Sequence, residues 1–224
     1  MLKRIFSSAL KIFFNLLYHQ FSWMYDWIAD LVSVGLWKEW VQAVIPYLEG
    51  KKVLEIGCGP GHLLAALSTG GGSIFGLDVS QQMLRQANRN ISLSPRNKNL
   101  VLAASQNLPL VDRCFPAIVA TFPSNYILDP KTLDGIWRVL DEGGKLLILP
   151  AAWIEGSNIL DRLAAWLFTI TDESPRIIDT DIEVRFSGYF ERLSHAGFQS
   201  TWELIESDRS KILIITAVKN QPNK

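Results

Sequence analysis

The chain has 224 residues, with 22 Lys plus Arg against 22 Asp plus Glu, two Cys, three His and 48% hydrophobic residues. That length buries a substantial core as one domain with additions, and a formal charge of zero gives no global electrostatic case for nucleic acid. Cys58 and Cys114 show neither metal spacing nor a disulfide framework, which points to a reducing, cytoplasmic setting. No apolar run reaches the roughly 18 uncharged residues a spanning helix needs.

Residues 1–48 read as an N-terminal helical extension. Nearly half of the aromatics fall here, Trp23, Trp27, Trp37 and Trp40 among them. Arg4, Ser8, Lys11, Asn15 and His19 recur every three or four residues, a polar stripe on a helix otherwise covered by residues such as Phe6, Leu10, Phe13 and Leu17. Lys3, Arg4 and Lys11 interrupt the apolar start, and no small-residue cleavage site follows, so no signal peptide is expected. A broad apolar face with cations on its narrow polar side fits two placements. One is a lid over the rest of the chain. The other is peripheral contact with an anionic membrane surface. The lid takes precedence, because amphipathicity alone is a weak membrane signal, and the two roles are compatible.

From residue 49 to about 220 the pattern alternates strand and helix, which implies a mostly parallel sheet with right-handed crossovers. Val53, Leu54 and Ile56 form a short apolar strand covered on both faces, and Gly57, Gly59 and Gly61 follow where the backbone turns sharply. A helix then starts after Pro60 through Leu63, Leu64 and Leu67. A second strand ends at Asp78, and Ser80 is a plausible N-cap for a helix carrying Met83, Leu84 and Ala87. Strands are expected over 99–104, 117–122 and 145–149, with a helix entered through Asp129 and Pro130 between the last two. Residues 151–186 interrupt the alternation with an apolar helix around Ile159, Leu163 and Trp166 and an acidic loop. The chain closes on a helix over 190–196 and two strands joined by four residues, 198–206 and 211–218, which read as a hairpin.

The glycine spacing separates two classes of ligand. A dinucleotide fingerprint places its third glycine three residues after the second. Here that position is His62, and the glycine comes one residue early. Glu55 precedes the first glycine by two residues, and Asp78 ends the next strand, where one carboxylate can accept from both ribose hydroxyls.

Glu55-x-Gly57-x-Gly59-x-Gly61 resembles motif I of the class I methyltransferases that use S-adenosylmethionine. The Asp141-Glu142-Gly143-Gly144 turn and the closing hairpin strengthen the likeness, which runs from about Lys51 to Val218. The Tyr25-Asp26-x-x-Ala29 string points toward the ubiquinone and menaquinone branch. The resemblance implies a Rossmann-like, doubly wound seven-stranded α/β sheet whose last strand is antiparallel. It assigns S-adenosylmethionine to Glu55, Gly57, Cys58, Gly59, Gly61, Asp78, Val79 and Met83 on the first two βα units. Ser105, Gln106 and Asn107 after the third strand, and Phe122 at the end of the fourth, complete that assignment. Family members usually carry Asp near position 104 to accept from the adenine amine; this chain has Ala104. Ser105, Gln106, a backbone carbonyl or water must then meet it.

The family chemistry asks for in-line alignment of a small acceptor, and for a base only where the acceptor must lose a proton. His19, if its helix folds over the cofactor, and Tyr126, in the loop after the fourth strand, are the candidates for catalysis. The simpler readings are a solvent-facing histidine and an aromatic wall. Phe122, Tyr126, Trp153 and Trp166 suggest an apolar acceptor methylated on oxygen or carbon. His62 is most simply a polar helix start, Cys58 a small turn residue, and no metal site is expected. A silent binding protein of the same fold and a dinucleotide-dependent oxidoreductase are the competing classes.

Overall fold

The computed structural model describes residues 33–48, 52–68, 73–91, 98–155 and 182–219. The expected helix along 4–19, and the apolar helix and most of the acidic loop of 151–186, lie outside them. A short helix α1 (Trp37–Gln42) leads through a 3₁₀ turn (Ile45–Tyr47) to β1 (Val53–Ile56), α2 (His62–Leu67), β2 (Ile74–Asp78), α3 (Gln81–Asn90) and β3 (Lys98–Leu102). Then follow β4 (Phe115–Thr121), α4 (Pro130–Val139), β5 (Leu140–Ile154), α5 (Ile182–Arg185), α6 (Ser187–His195), β6 (Phe198–Glu206) and β7 (Ser210–Lys219).

The seven strands form one sheet in the order β3-β2-β1-β4-β5-β7-β6. The first five are parallel, and β7 lies antiparallel between β5 and β6. The closing hairpin is therefore the inserted antiparallel element that the sequence suggested, and the sheet is the Rossmann-like one expected.

Side-chain alternation divides the core between the two faces of the sheet. Ile118, Ala120, Leu146, Ile148, Leu213 and Ile215 point to one layer, where Leu133 and Ile136 of α4 and Leu193 of α6 meet them. Ala117, Val119, Leu147, Leu149, Ile212 and Ile214 point to the other, against Leu63 and Leu64 of α2 and Leu84 and Ala87 of α3. Trp40, Val41, Val44 and Leu48, all from the segment before β1, belong to that second layer and are buried. Two covered faces are what a parallel sheet requires, and they explain why β1 reads as an unbroken apolar run apart from Glu55.

Several ends differ from the sequence expectation. β4 stops at Thr121 because Phe122 turns to φ +46°, out of the extended region. β5 continues past Leu149 to Ile154, with its register to β7 shifted between Ile148 and Ala151. Pro150 sits in that interval and has no N–H to give the ladder, so a bulge there costs no donor. α6 begins at Ser187, three residues before the expected start. The caps held: Ser80 Oγ accepts from Met83 N, and Asp129 accepts from Lys131 N ahead of Pro130.

Candidate functional site

A cavity of about 600 Å³ opens at the carboxyl ends of β1, β2 and β4, the edge at which open α/β sheets bind ligands. Its floor is the turn after β1. Gly57 N and Cys58 N both donate to Leu77 O, at 2.7 and 3.0 Å, which folds the turn back onto β2. Gly57 and Gly59 have φ of +73° and +50°, in the left-handed region that a side chain disfavours. A Cβ on Gly57 would run into the Tyr126 hydroxyl, whereas one on Gly59 would meet nothing within 4 Å. Gly57 is thus packed, and Gly59 leaves bare backbone beside open space.

Asp78 fixes this turn from the neighbouring strand. Its Oδ2 accepts from Gly59 N at 2.9 Å and its Oδ1 from Ser80 N at 2.8 Å. The residue is 1% exposed and still borders the cavity. A carboxylate accepts at several lone pairs, which lets one group brace two backbone N–H donors of the loop.

Glu55 lies on the same wall, 2% exposed. Thr121 Oγ1 donates to its Oε1 at 3.0 Å, while Oε2 is buried with no hydrogen-bond partner. Burial pushes its carboxyl up to about 8, the nearby Asp78 charge adds to the rise, and the Thr121 bond opposes it. A buried acid with an unmet oxygen facing a cavity is a place for a cation. The same burial, with Glu55 and Asp78 beside it, raises the Cys58 thiol well above its ordinary range, so Cys58 is a neutral filler of the turn and not a thiolate nucleophile.

The cavity is also lined by apolar and aromatic side chains. Trp37 of α1 stacks on Phe122, ring centroids 4.6 Å apart with 28° between planes, and Trp40 packs against the same ring at 6.1 Å. Tyr126, on the 3₁₀ turn Asn125–Leu128, donates its hydroxyl hydrogen to Ile56 O at 3.1 Å. Val79, 61% exposed, and Ala104, Ser105 and Gln106 complete the lining named here. The Ser105 hydroxyl is within 3.0 Å of Thr132 Oγ1 and donates to Gln106 Oε1 at 3.3 Å.

Of the residues singled out in the sequence, Glu55, Gly57, Cys58, Gly59, Asp78, Val79, Ser105, Gln106, Phe122 and Tyr126 line this one cavity. Gly61, Met83 and Asn107 are not among its lining residues. Gly61 packs against Ala87, Met83 is fully buried on the inner side of α3, and Asn107 faces solvent. Trp153, expected as a pocket wall, is instead a core residue, 6% exposed and edge-on to Phe186. His19 and Trp166 lie outside the described residues. Sequence reasoning missed Trp37 and Thr121. The density of aromatics before β1 was the available signal for Trp37; Thr121 follows Glu55 only through the pairing of β4 with β1. Among the described residues no group of His, Cys, Asp and Glu could hold a metal ion, and no helix is long and apolar enough to cross a membrane.

Comparison with known proteins agrees with this geometry. A methyltransferase domain family matches residues 53–144. The demethylmenaquinone methyltransferase of Symbiobacterium thermophilum is 29% identical over 137 residues, which cover 57% of this chain and 55% of that protein. The ubiquinone/menaquinone biosynthesis C-methyltransferase of Cronobacter sakazakii is 33% identical over 142 residues, covering 59% and 56%. The chain thus spans little more than half the length of these relatives. Among solved structures, a putative S-adenosyl-L-methionine-dependent methyltransferase from Methanococcus maripaludis superimposes with a TM-score of 0.62 at 21% identity, covering 90% of this chain and 93% of that one. Haemonchus contortus phosphoethanolamine N-methyltransferase 2, in complex with S-adenosylhomocysteine, gives 0.54 at 16% identity over 84% and 58%. At those identities the structural likeness is one of fold.

Proposed function

We propose that the chain, whose residues 53–144 match a methyltransferase domain family, is a class I S-adenosylmethionine-dependent methyltransferase that transfers the methyl group to oxygen or carbon of a small, apolar, ring-bearing or lipid-soluble acceptor. The observation that carries the cofactor half of this reading is the meeting of Glu55, Gly59 and Asp78 at one cavity. The unpaired Glu55 Oε2 suits a cationic group, and a methionine moiety supplies one in its ammonium. The bare turn at Gly59 admits close approach, and the Asp78 carboxylate borders the cavity as an acceptor for ribose hydroxyls. Val79 offers exposed apolar surface for a purine. With Ala104 in place of a carboxylate, Ser105 and Gln106, joined by the bond from Ser105 Oγ to Gln106 Oε1, are the side chains beside the cavity that can meet the adenine edge, with a backbone carbonyl or water as the alternatives.

S-adenosylmethionine supplies a methyl group already activated on a sulfonium. In the transfer the S–CH₃ bond breaks with its electron pair left on sulfur, a C–CH₃ or O–CH₃ bond forms, and the acceptor's proton passes to a base or to solvent. The chain's contribution is alignment and exclusion of water. The apolar wall of Trp37, Phe122 and Tyr126 suits an acceptor without formal charge. Two quinone-type methyltransferases among the relatives point the same way. The residues before α1 remain a lid by proposal, compatible with contact at a membrane surface where a lipid-soluble acceptor would be met.

Titration calorimetry with S-adenosylhomocysteine tests the cofactor assignment. One molecule should bind per chain, and Asp78→Ala should weaken it roughly ten- to hundred-fold, the range that follows from losing charge-assisted hydrogen bonds of ~1.5–3 kcal/mol. Unchanged affinity in that variant would remove Asp78 from the site. A labelled-methyl assay on fractionated extract, lipid-soluble fraction included, tests the acceptor class; label found only on protein or nucleic acid would overturn it.

A further inference from the structure

Resting on the methyltransferase reading, we propose that Thr121 is a positioning residue for the cofactor: its hydroxyl fixes the Glu55 carboxylate so that Oε2 is set to receive the ammonium of the amino-acid end. The register of two strands brings the pair together. β1 and β4 are parallel, with Glu55 opposite Val119. Thr121, two residues further on, therefore shares a sheet face with Glu55 and lies nearer the carboxyl edge. On that face Val53, Ala117 and Val119 are buried in an apolar layer. Glu55 and Thr121 follow them along the two strands, and both border the cavity. The polar pair thus stands where the apolar layer gives way to the site.

The carboxylate is held at one oxygen and unmatched at the other. Thr121 Oγ1 donates to Glu55 Oε1 at 3.0 Å. Oε2 is buried with no hydrogen-bond partner among the described residues, in a side chain 2% exposed. A buried acid left in that state costs the fold free energy. Two apolar residues in the same layer would carry no such cost, so stability does not account for the pair. A ligand that brings a donor to Oε2 accounts for it.

Threonine suits the task because its branched Cβ restricts χ1, whereas glutamate reaches its carboxyl through several rotatable bonds. Tying Oε1 to a stiff donor sets the plane of the carboxylate, and with it the place of Oε2, ahead of binding. Such preorganisation spares the ligand the ordering that an untethered carboxylate would demand. Burial keeps Glu55 neutral, and the Thr121 bond works against it by favouring the carboxylate, the form with which an ammonium pairs.

The test is titration calorimetry on the full chain with two probes, S-adenosylhomocysteine and 5′-methylthioadenosine, which lacks the amino-acid end. Thr121→Val keeps the shape and removes the donor. It should weaken S-adenosylhomocysteine roughly three- to ten-fold, the span of one net hydrogen bond. 5′-Methylthioadenosine affinity should change by less than about two-fold. Thr121→Ser keeps a hydroxyl and should hold S-adenosylhomocysteine affinity within about two-fold of the intact chain. In a Glu55→Gln background the ammonium has lost its carboxylate, so Thr121→Val should there cost less than about two-fold. Should Thr121→Val not fold, Thr121→Ala carries the same expectations. Unchanged S-adenosylhomocysteine affinity in Thr121→Val overturns the proposal. An equal loss for both probes does so too, since Thr121 would then support the whole site. A serine that fails to hold affinity, or a loss that persists at full size in the Glu55→Gln background, also overturns it, because Thr121 would then act by shape or by touching the cofactor itself. Failure of the intact protein to bind either probe is a different result: it removes the methyltransferase reading, and this proposal with it.

Discussion

The glycine side of the cavity and its aromatic side are built by different means. On the glycine side one contiguous stretch, Val53 to His62, supplies strand, turn and helix start, and backbone groups do most of the work. Gly57 N, Cys58 N and Gly59 N are tied to Leu77 and Asp78 of the next strand. On the aromatic side Trp37 comes from α1 and Phe122 and Tyr126 from the loop after β4, two places far apart in sequence, and side chains do the work, with Trp37 and Trp40 packed on the Phe122 ring. A motif-built surface binds what every user of that motif shares. A surface assembled from afar can change without disturbing the turn, so it is where one chain can differ from its relatives in acceptor.

The two sides touch at the Tyr126 hydroxyl, and breaking that contact should have the largest effect. The Tyr126 hydroxyl lies against Gly57, so Gly57→Ala adds a Cβ where the hydroxyl stands. It also forces a side chain into the left-handed region, which costs about 1–2 kcal/mol. Displacing a positioned group by an ångström costs roughly a hundred-fold in function. S-adenosylhomocysteine affinity in Gly57→Ala should fall by about that factor in calorimetry. In a Tyr126→Phe background the hydroxyl is gone, leaving a 3.0 Å approach to the ring carbon Cζ and the strain, so the same substitution should cost less, about ten-fold. Equal losses in both backgrounds would mean that the two walls are independent.

A smaller effect, confined to the glycine side, is a proton. Glu55 is held neutral in the folded chain up to about 8, mainly by burial and further by the Asp78 charge. The folded-state value therefore lies above the unfolded carboxylate value of ~4.3. Between those values the folded chain keeps a proton that the unfolded chain has lost, so stability without ligand falls as pH rises through that window. A ligand ammonium at Oε2 favours the carboxylate, so binding near neutral pH should release a proton. Calorimetry in two buffers of different ionisation heat measures that release, and Glu55→Gln should abolish it while flattening the loss of melting temperature between pH 5 and pH 8. 5′-Methylthioadenosine, which lacks the amino-acid end, should bind without the release. Release that persists in Glu55→Gln would assign the proton to another group.

What could be read from the residues follows the same division. β1, the turn, Asp78, the Ser80 and Asp129 caps and the closing hairpin were legible because each is local: spacing, alternation or a cap within a few positions. Thr121 as the partner of Glu55 was not, because strand pairing between β1 and β4 sets that contact. Phe122 read as the last residue of a strand, since nothing in an aromatic signals φ +46°; Trp37, Trp40 and the Leu149 carbonyl hold it there. Trp153 read as a pocket wall because the expected strand ended before it. β5 runs on through the Pro150 bulge and carries it into the core against Phe186. Met83 lies near the motif in sequence, but α3 turns it inward, where it is fully buried.

The smallest effect expected decides what Tyr126 is for. As a general base it would accept the acceptor's proton in the transition state, a role that contributes roughly 10²–10⁴ in rate. As found, its hydroxyl donates to Ile56 O and backs onto Gly57, which makes it a spacer between the two walls. Tyr126→Phe removes one hydrogen bond to a strand-end carbonyl, ~0.5–1.5 kcal/mol net. For a chain of this size that should lower the melting temperature by about 2–4 °C. The ring stays, so the aromatic wall is kept. Turnover with saturating acceptor should therefore fall less than ten-fold, with the pH profile unmoved, because a missing base would cost ~100-fold or more and remove a limb of that profile. The substitution leaves the carbonyl of Ile56 without this donor. A loss of that larger size, with melting temperature and S-adenosylhomocysteine affinity intact, would return Tyr126 to the role of base.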